Sequence, residues 1–166
     1  MQVNTLRAEG GIDVPADPPP VLVAALGPQM LKLVGKTADG TATWMTGPET
    51  IRTHIAPVIN DAAEVSGRER PQVITAVPVC ITTDKQVAEE SAKRDFGFYG
   101  DLPSYRAMLD REGLDNSWDI ALSGSFEEVA EGLEKYVQAG ATQVVAAVYG
   151  PQELQKETIS QLAQLI

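Results

Sequence analysis

The chain has 166 residues, with 13 basic and 23 acidic side chains and a formal net charge of −10. Its single cysteine excludes an internal disulfide framework, and one cysteine with one histidine argues against a zinc centre. The negative balance sets aside binding to nucleic acid or an anionic membrane, because both need a basic patch.

Residues 1–20 read as a lead-in. Val3–Leu6 and Gly11–Val14 flank a turn-forming Glu9-Gly10-Gly11 that suits a small hairpin, and Pro15, Pro18, Pro19 and Pro20 then forbid regular structure. The opening MQVNTLRAEGG lacks the apolar core of a signal peptide, so a cytoplasmic protein is expected. The longest apolar run, Val21–Leu26, suits a strand buried on both faces and is far short of the roughly 20 residues that cross a bilayer. Gly27-Pro28 opens a helix carrying Met30, Leu31 and Val34, which is expected to end near Gly35. Thr41–Met45 is a second strand. Gly47-Pro48 opens a second helix, with Ile51, Ile55, Val58, Ile59 and Ala62 at helical spacing up to Gly67. Val73–Thr82 is a third strand, and Thr83 with Gln86 suggests a capping box for the helix after it. Pro103–Glu112 is a short helix stopped by Gly113, and Ser125 with Glu128 caps a further helix. Gln143–Tyr149 is the fourth strand, and Gly150-Pro151 opens a last helix with Leu154, Leu162, Leu165 and Ile166. Residues 21–166 are therefore α/β: four β-α units implying a parallel sheet, with extra helices before the last strand.

Three strands end alike, at Leu26-Gly27-Pro28, Thr46-Gly47-Pro48 and Tyr149-Gly150-Pro151. Glycine permits close approach and proline starts a helix at once, so free N–H groups face an anion near the carboxyl ends of the strands. In parallel α/β folds that end holds the ligand. A Gly-Pro turn is also a good strand-to-helix connection whatever the function, and both readings stand at this point. Other side chains add little. A lone helical histidine such as His54 is more often structural or exposed than catalytic, and Cys80 in mid-strand reads as core. No nucleophile elbow, Gly-x-Gly-x-x-Gly or phosphate-binding loop motif occurs. Trp44, at a strand end, either walls a flat ring or packs in the core.

The stretch PPPVLVAALGPQMLKLVGKTADGTATWMTGPETI resembles the fifth and sixth β-α units of luciferase-like oxidoreductases. VITAVPVCITTD, YGDLPSYRAMLDREG and ALSGSFEEVAEGLEKYVQAGATQVVAAVYG continue the resemblance in order. It is strongest to the branch that uses the deazaflavin coenzyme F-420. The resemblance implies a TIM-type (β/α)8 barrel, of which this chain matches the C-terminal half; a typical barrel takes about 250 residues. It implies hydride transfer or monooxygenation with a deazaflavin, or with FMN as the alternative. Ala24, Ala25, Leu26, Gly27 and Pro28 would contact the phosphate or ribityl side of that cofactor. Thr46 and Gly47 would line the adjacent pocket with Trp44 behind them, and Tyr105 and Tyr149 would face the substrate. No side chain is assigned as acid or nucleophile, because the cofactor supplies the redox chemistry.

Half a barrel has unpaired edges and an open inner face, both of which invite association. The expected partner is a second copy, in a homodimer that closes the barrel, or a separate N-terminal half, together with a small-molecule substrate. The alternative is a truncated, non-catalytic half-barrel that serves only as an assembly or ligand-binding module.

Overall fold

The computed structural model describes residues 19–165; the hairpin and most of the proline lead-in expected from the sequence lie outside them. From the amino end the elements are β1 (Leu22–Ala24), α1 (Pro28–Thr37), β2 (Gly40–Trp44) and α2 (Pro48–Thr50). Helix α2 runs through a π-helical turn, Ile51–Ile55, into α3 (Ala56–Val65). Next come β3 (Gln72–Ile81), α4 (Lys85–Phe96), a 3-10 turn over Gly97–Asp101 and α5 (Pro103–Glu112). The remainder is β4 (Leu122–Gly124), α6 (Phe126–Gln138), β5 (Gln143–Val148) and α7 (Gln152–Leu162).

All strand pairs are parallel. β3 is the hub, because its length lets it pair with three neighbours. Residues 74–76 pair with β2 and β5 at once, so those strands flank it on opposite sides. Val79 pairs with both Leu122 and Val148, which places β4 beyond the end of β2 on the same side. The four expected strands are present. β4 is an addition, since three residues carry too little alternation to be read from sequence.

The two faces of the sheet differ. Thr41, Thr43, Val73, Thr75, Val77 and Val79 are buried and join Leu31, Val34, Ile55 and Ile59 in the layer beneath the helices. The Thr43 hydroxyl is satisfied there by the Thr75 hydroxyl at 3.0 Å. On the other face the rows Ala24–Ala42–Ile74 and Trp44–Ala76–Val145 are only partly covered, and Val145 is 49% exposed. This face is the less covered of the two among the described residues.

Two expectations about helix ends are corrected. α1 continues past Gly35 to Thr37. Gly35 is instead a packing point, since a Cβ there would lie 2.8 Å from the Ala62 Cβ and closer still to the Ile59 carbonyl. The cap of α4 is Asp84, whose carboxylate accepts from the Val87 N–H at 3.1 Å, rather than Thr83. The Ser125–Glu128 capping box forms as expected.

Candidate functional site

The three Gly-Pro turns all lie at the carboxyl end of the sheet, but they are not equivalent. Gly27 and Gly47 have nearly the same extended backbone, at φ −77°, ψ 147° and φ −82°, ψ 171°, and each is followed by proline in the first helical turn. Gly150 has φ 102°, and Pro151 caps α7 rather than entering it.

At Gly27 the helix start is open. A Cβ there would meet nothing within 4 Å, and Gly27, Pro28, Gln29 and Met30 are all exposed. The strand leading to it ends on an exposed Ala24, a buried Ala25 and a half-buried Leu26. Two alanines and Leu26 thus lead to a helix start whose Gly27 N–H has no partner among the described residues, at the positive end of a helix dipole.

At Gly47 the corresponding position is filled. The Glu112 carboxylate accepts from the Thr50 N–H at 2.5 Å and the Glu49 N–H at 3.3 Å. A Cβ on Gly47 would collide with that carboxylate, so the glycine leaves the room in which Glu112 sits. The Thr50 hydroxyl adds a second tie, to the Met108 carbonyl at 3.2 Å. Arg106 holds the end of α5 by donating to Asp110 at 2.8 Å, to the Asp115 carbonyl at 2.7 Å and to the Leu114 carbonyl. Just before this turn Met45 is buried with φ 52°, an uncommon conformation for a side chain of its size. The Thr46 hydroxyl closes the bend on the Trp44 carbonyl at 3.0 Å.

The helices between β3 and β4 lay an aromatic cover beside these turns. Trp44 meets Phe96 and Tyr99 edge to face, with centroids 5.9 and 6.1 Å apart. Tyr99 meets Tyr105 at 4.9 Å and Phe96 meets Tyr149 at 5.4 Å. Trp44, Tyr105 and Tyr149, separate in sequence, therefore belong to one cluster joined by Phe96 and Tyr99. Burial raises the phenol pKa of both Tyr105 and Tyr149, in the second case to about 12. Tyr149 also borders a cleft shared with Trp118, Ala121 and Ser123. Cys80 is fully buried, and burial pushes its thiol up, as befits a core residue. Three contributors are not apparent from the sequence motifs. Glu112 leaves no signal, because its partners lie more than 60 residues away. Phe96 and Tyr99 leave a cue in the aromatic run Phe96-Gly97-Phe98-Tyr99. Among the described residues no group of acidic, cysteine and histidine side chains is placed to hold a metal, and no helix is long and apolar enough to cross a membrane.

Residues 3–143 match the luciferase-like monooxygenase family. The chain belongs to that family. An F420-dependent glucose-6-phosphate dehydrogenase of Nakamurella multipartita is 31% identical over 91 residues, covering 54% of this chain and 26% of that protein. The solved coenzyme F420-dependent tetrahydromethanopterin reductase of Methanopyrus kandleri superposes with a TM-score of 0.71 at 23% identity, over 87% of this chain and 49% of that one. The FMN complex of a Baeyer–Villiger monooxygenase, 3,6-diketocamphane monooxygenase of Pseudomonas putida, superposes with a TM-score of 0.67 at 15% identity, over 89% and 48%. This luciferase-like chain thus spans about half the length of the solved structures it matches. Its parallel α/β sheet aligns with half of their TIM-barrel fold.

Proposed function

We propose that the chain is the cofactor-holding half of a luciferase-like oxidoreductase that moves hydride with a deazaflavin and needs a second half to complete its barrel. The supporting observation is the open Gly27–Pro28 helix start, which lies at the ligand-binding end of a parallel sheet in a member of this family. The residues present fit such a cofactor. Ala24 and Gly27 offer no side chain beyond a methyl, so a phosphate or ribityl chain lies directly on backbone donors of α1. Leu26 and Pro28 flank it and Trp44 walls the adjacent space, whereas Thr46 and Gly47, expected beside it, are buried under Glu112 and back that wall from behind. The bound cofactor supplies the redox chemistry. The chain's own residues orient it, and the aromatic cover excludes water from it. FMN also carries a phosphate on its ribityl chain and meets the same donors, so it is the alternative cofactor.

One feature favours the second reading, an assembly or ligand-binding module without turnover. The inner sheet face and the edges at β1 and β5 have no covering strand among the described residues. A second copy or a separate N-terminal half would cover them. A titration of the purified chain with deazaflavin and with FMN, run with a solution mass measurement, separates the readings. Cofactor binding by an assembly larger than one chain, with turnover, supports the enzyme. A monomer with no affinity for either cofactor overturns it.

A further inference from the structure

His54 is the one histidine of the chain, and it is 5% exposed. It sits in the π-helical turn between α2 and α3, anchored by the fully buried Ile51 and Ile55 on either side. The turn has a cause in the sequence. Pro57 has no N–H to give, and in a regular α-helix its ring would meet the Thr53 carbonyl. The chain widens instead, and the Ala56 N–H bonds back to the Ile51 carbonyl five residues earlier. From this turn the His54 ring crosses to the first Gly-Pro loop, where Nε2 lies 2.8 Å from the Leu26 carbonyl oxygen. A carbonyl only accepts, so Nε2 carries the proton and donates.

The Leu26 carbonyl and the Gly27 N–H belong to one trans peptide plane and point in opposite directions. Holding the carbonyl toward α3 therefore turns the Gly27 N–H away from it. That N–H has no partner among the described residues, and the space about Gly27 is open. We propose that His54 is a positioning residue: by gripping the Leu26 carbonyl it fixes the Leu26–Gly27 peptide so that the Gly27 N–H is presented outward to the polar end of a bound cofactor. His54 itself touches no ligand. The inference rests on the function proposed above for the same loop. It also gives the second Gly-Pro helix a role, since that helix carries the residue that sets the first turn.

The test compares the full chain with His54→Phe, which keeps a ring and loses the donor, and His54→Gln, whose amide donates from nearly the same place. Two quantities are read. One is amide exchange in the cofactor-free protein, at Leu31, whose N–H bonds to the Gly27 carbonyl at 3.0 Å, and at Val77 and Val79 in the central strand. The other is affinity for deazaflavin and for FMN. In His54→Phe, exchange at Leu31 rises and affinity for the cofactor that binds falls, each roughly three- to tenfold, the worth of one hydrogen bond. Val77 and Val79 do not change, and His54→Gln restores both quantities. Unchanged exchange at Leu31, an equal rise at Val77 and Val79, or no rescue by glutamine overturns the proposal. If the wild-type chain binds neither cofactor, the proposed function fails, and the contrast in exchange with its glutamine rescue still decides the role of His54.

Discussion

Gly27–Pro28 and Gly47–Pro48 share their sequence, their backbone angles and their place at the carboxyl ends of neighbouring strands. The donors of the first face open space, whereas those of the second hold the Glu112 carboxylate. The same local motif thus gives one seat free for a ligand and one closed by the protein itself. A Gly-Pro helix start specifies donors, and the anion that meets them is decided by whatever the rest of the chain brings near.

The contrast can be broken from either side. Gly47→Ala has the largest expected effect: its Cβ displaces the Glu112 carboxylate from the helix start, and the protein loses about 1–2 kcal/mol in urea unfolding, as loss of a helix cap does. In a Glu112→Ala background the same change costs much less, because the collision is gone. Glu112→Ala alone removes the acceptor of two helix-start N–H groups and costs about 1–2 kcal/mol, as loss of a helix cap does. A cost within error of zero would show that water replaces the carboxylate without penalty.

Alkali probes the buried tyrosines next. Tyr149 holds its proton more tightly in the fold than in the unfolded chain, with a pKa raised from 10 to about 12. Its contribution is full below pH about 10 and is lost as pH rises toward about 12, so stability falls across that window. The phenol of Tyr136 is pushed up as well, by burial first and then by the charge of Glu112. Glu112→Gln removes that charge, so phenolate absorbance from Tyr136 moves to lower pH. The smallest effect belongs to Gly27→Ala. With open space around it and φ −77°, the added methyl changes stability by no more than about 0.5 kcal/mol. The same methyl stands where the cofactor is proposed to lie, so cofactor affinity falls while the melting temperature holds.

Much of this architecture is legible in the sequence because its signals are local. The apolar runs Val21–Leu26 and Val73–Thr82 mark strands, proline after glycine marks the helix starts, and Ser125 with Glu128 caps α6 where the pairing rule places it. Helix ends that depend on neighbours are less legible. Gly35 looks like a stop but is the place where α3 presses against α1. The π-helical turn is hidden because the apolar spacing on both sides of Pro57 is that of an ordinary helix. Within the site, the turns and Trp44 can be named from sequence. Their sorting into open and closed cannot, since it depends on Glu112 arriving from α5.

The sequence by itself determined an α/β chain of four β-α units, its three Gly-Pro turns and its kinship with luciferase-like enzymes. These follow from periodicity, capping and motif order, which act over a few residues at a time. Tertiary structure alone decided which turn stays open, what Gly47 makes room for and what His54 holds. Each of those rests on one hydrogen bond or one close approach between segments at least 28 residues apart. Such contacts leave no periodic trace, because what specifies them is the distance between folded elements and not the spacing along the chain.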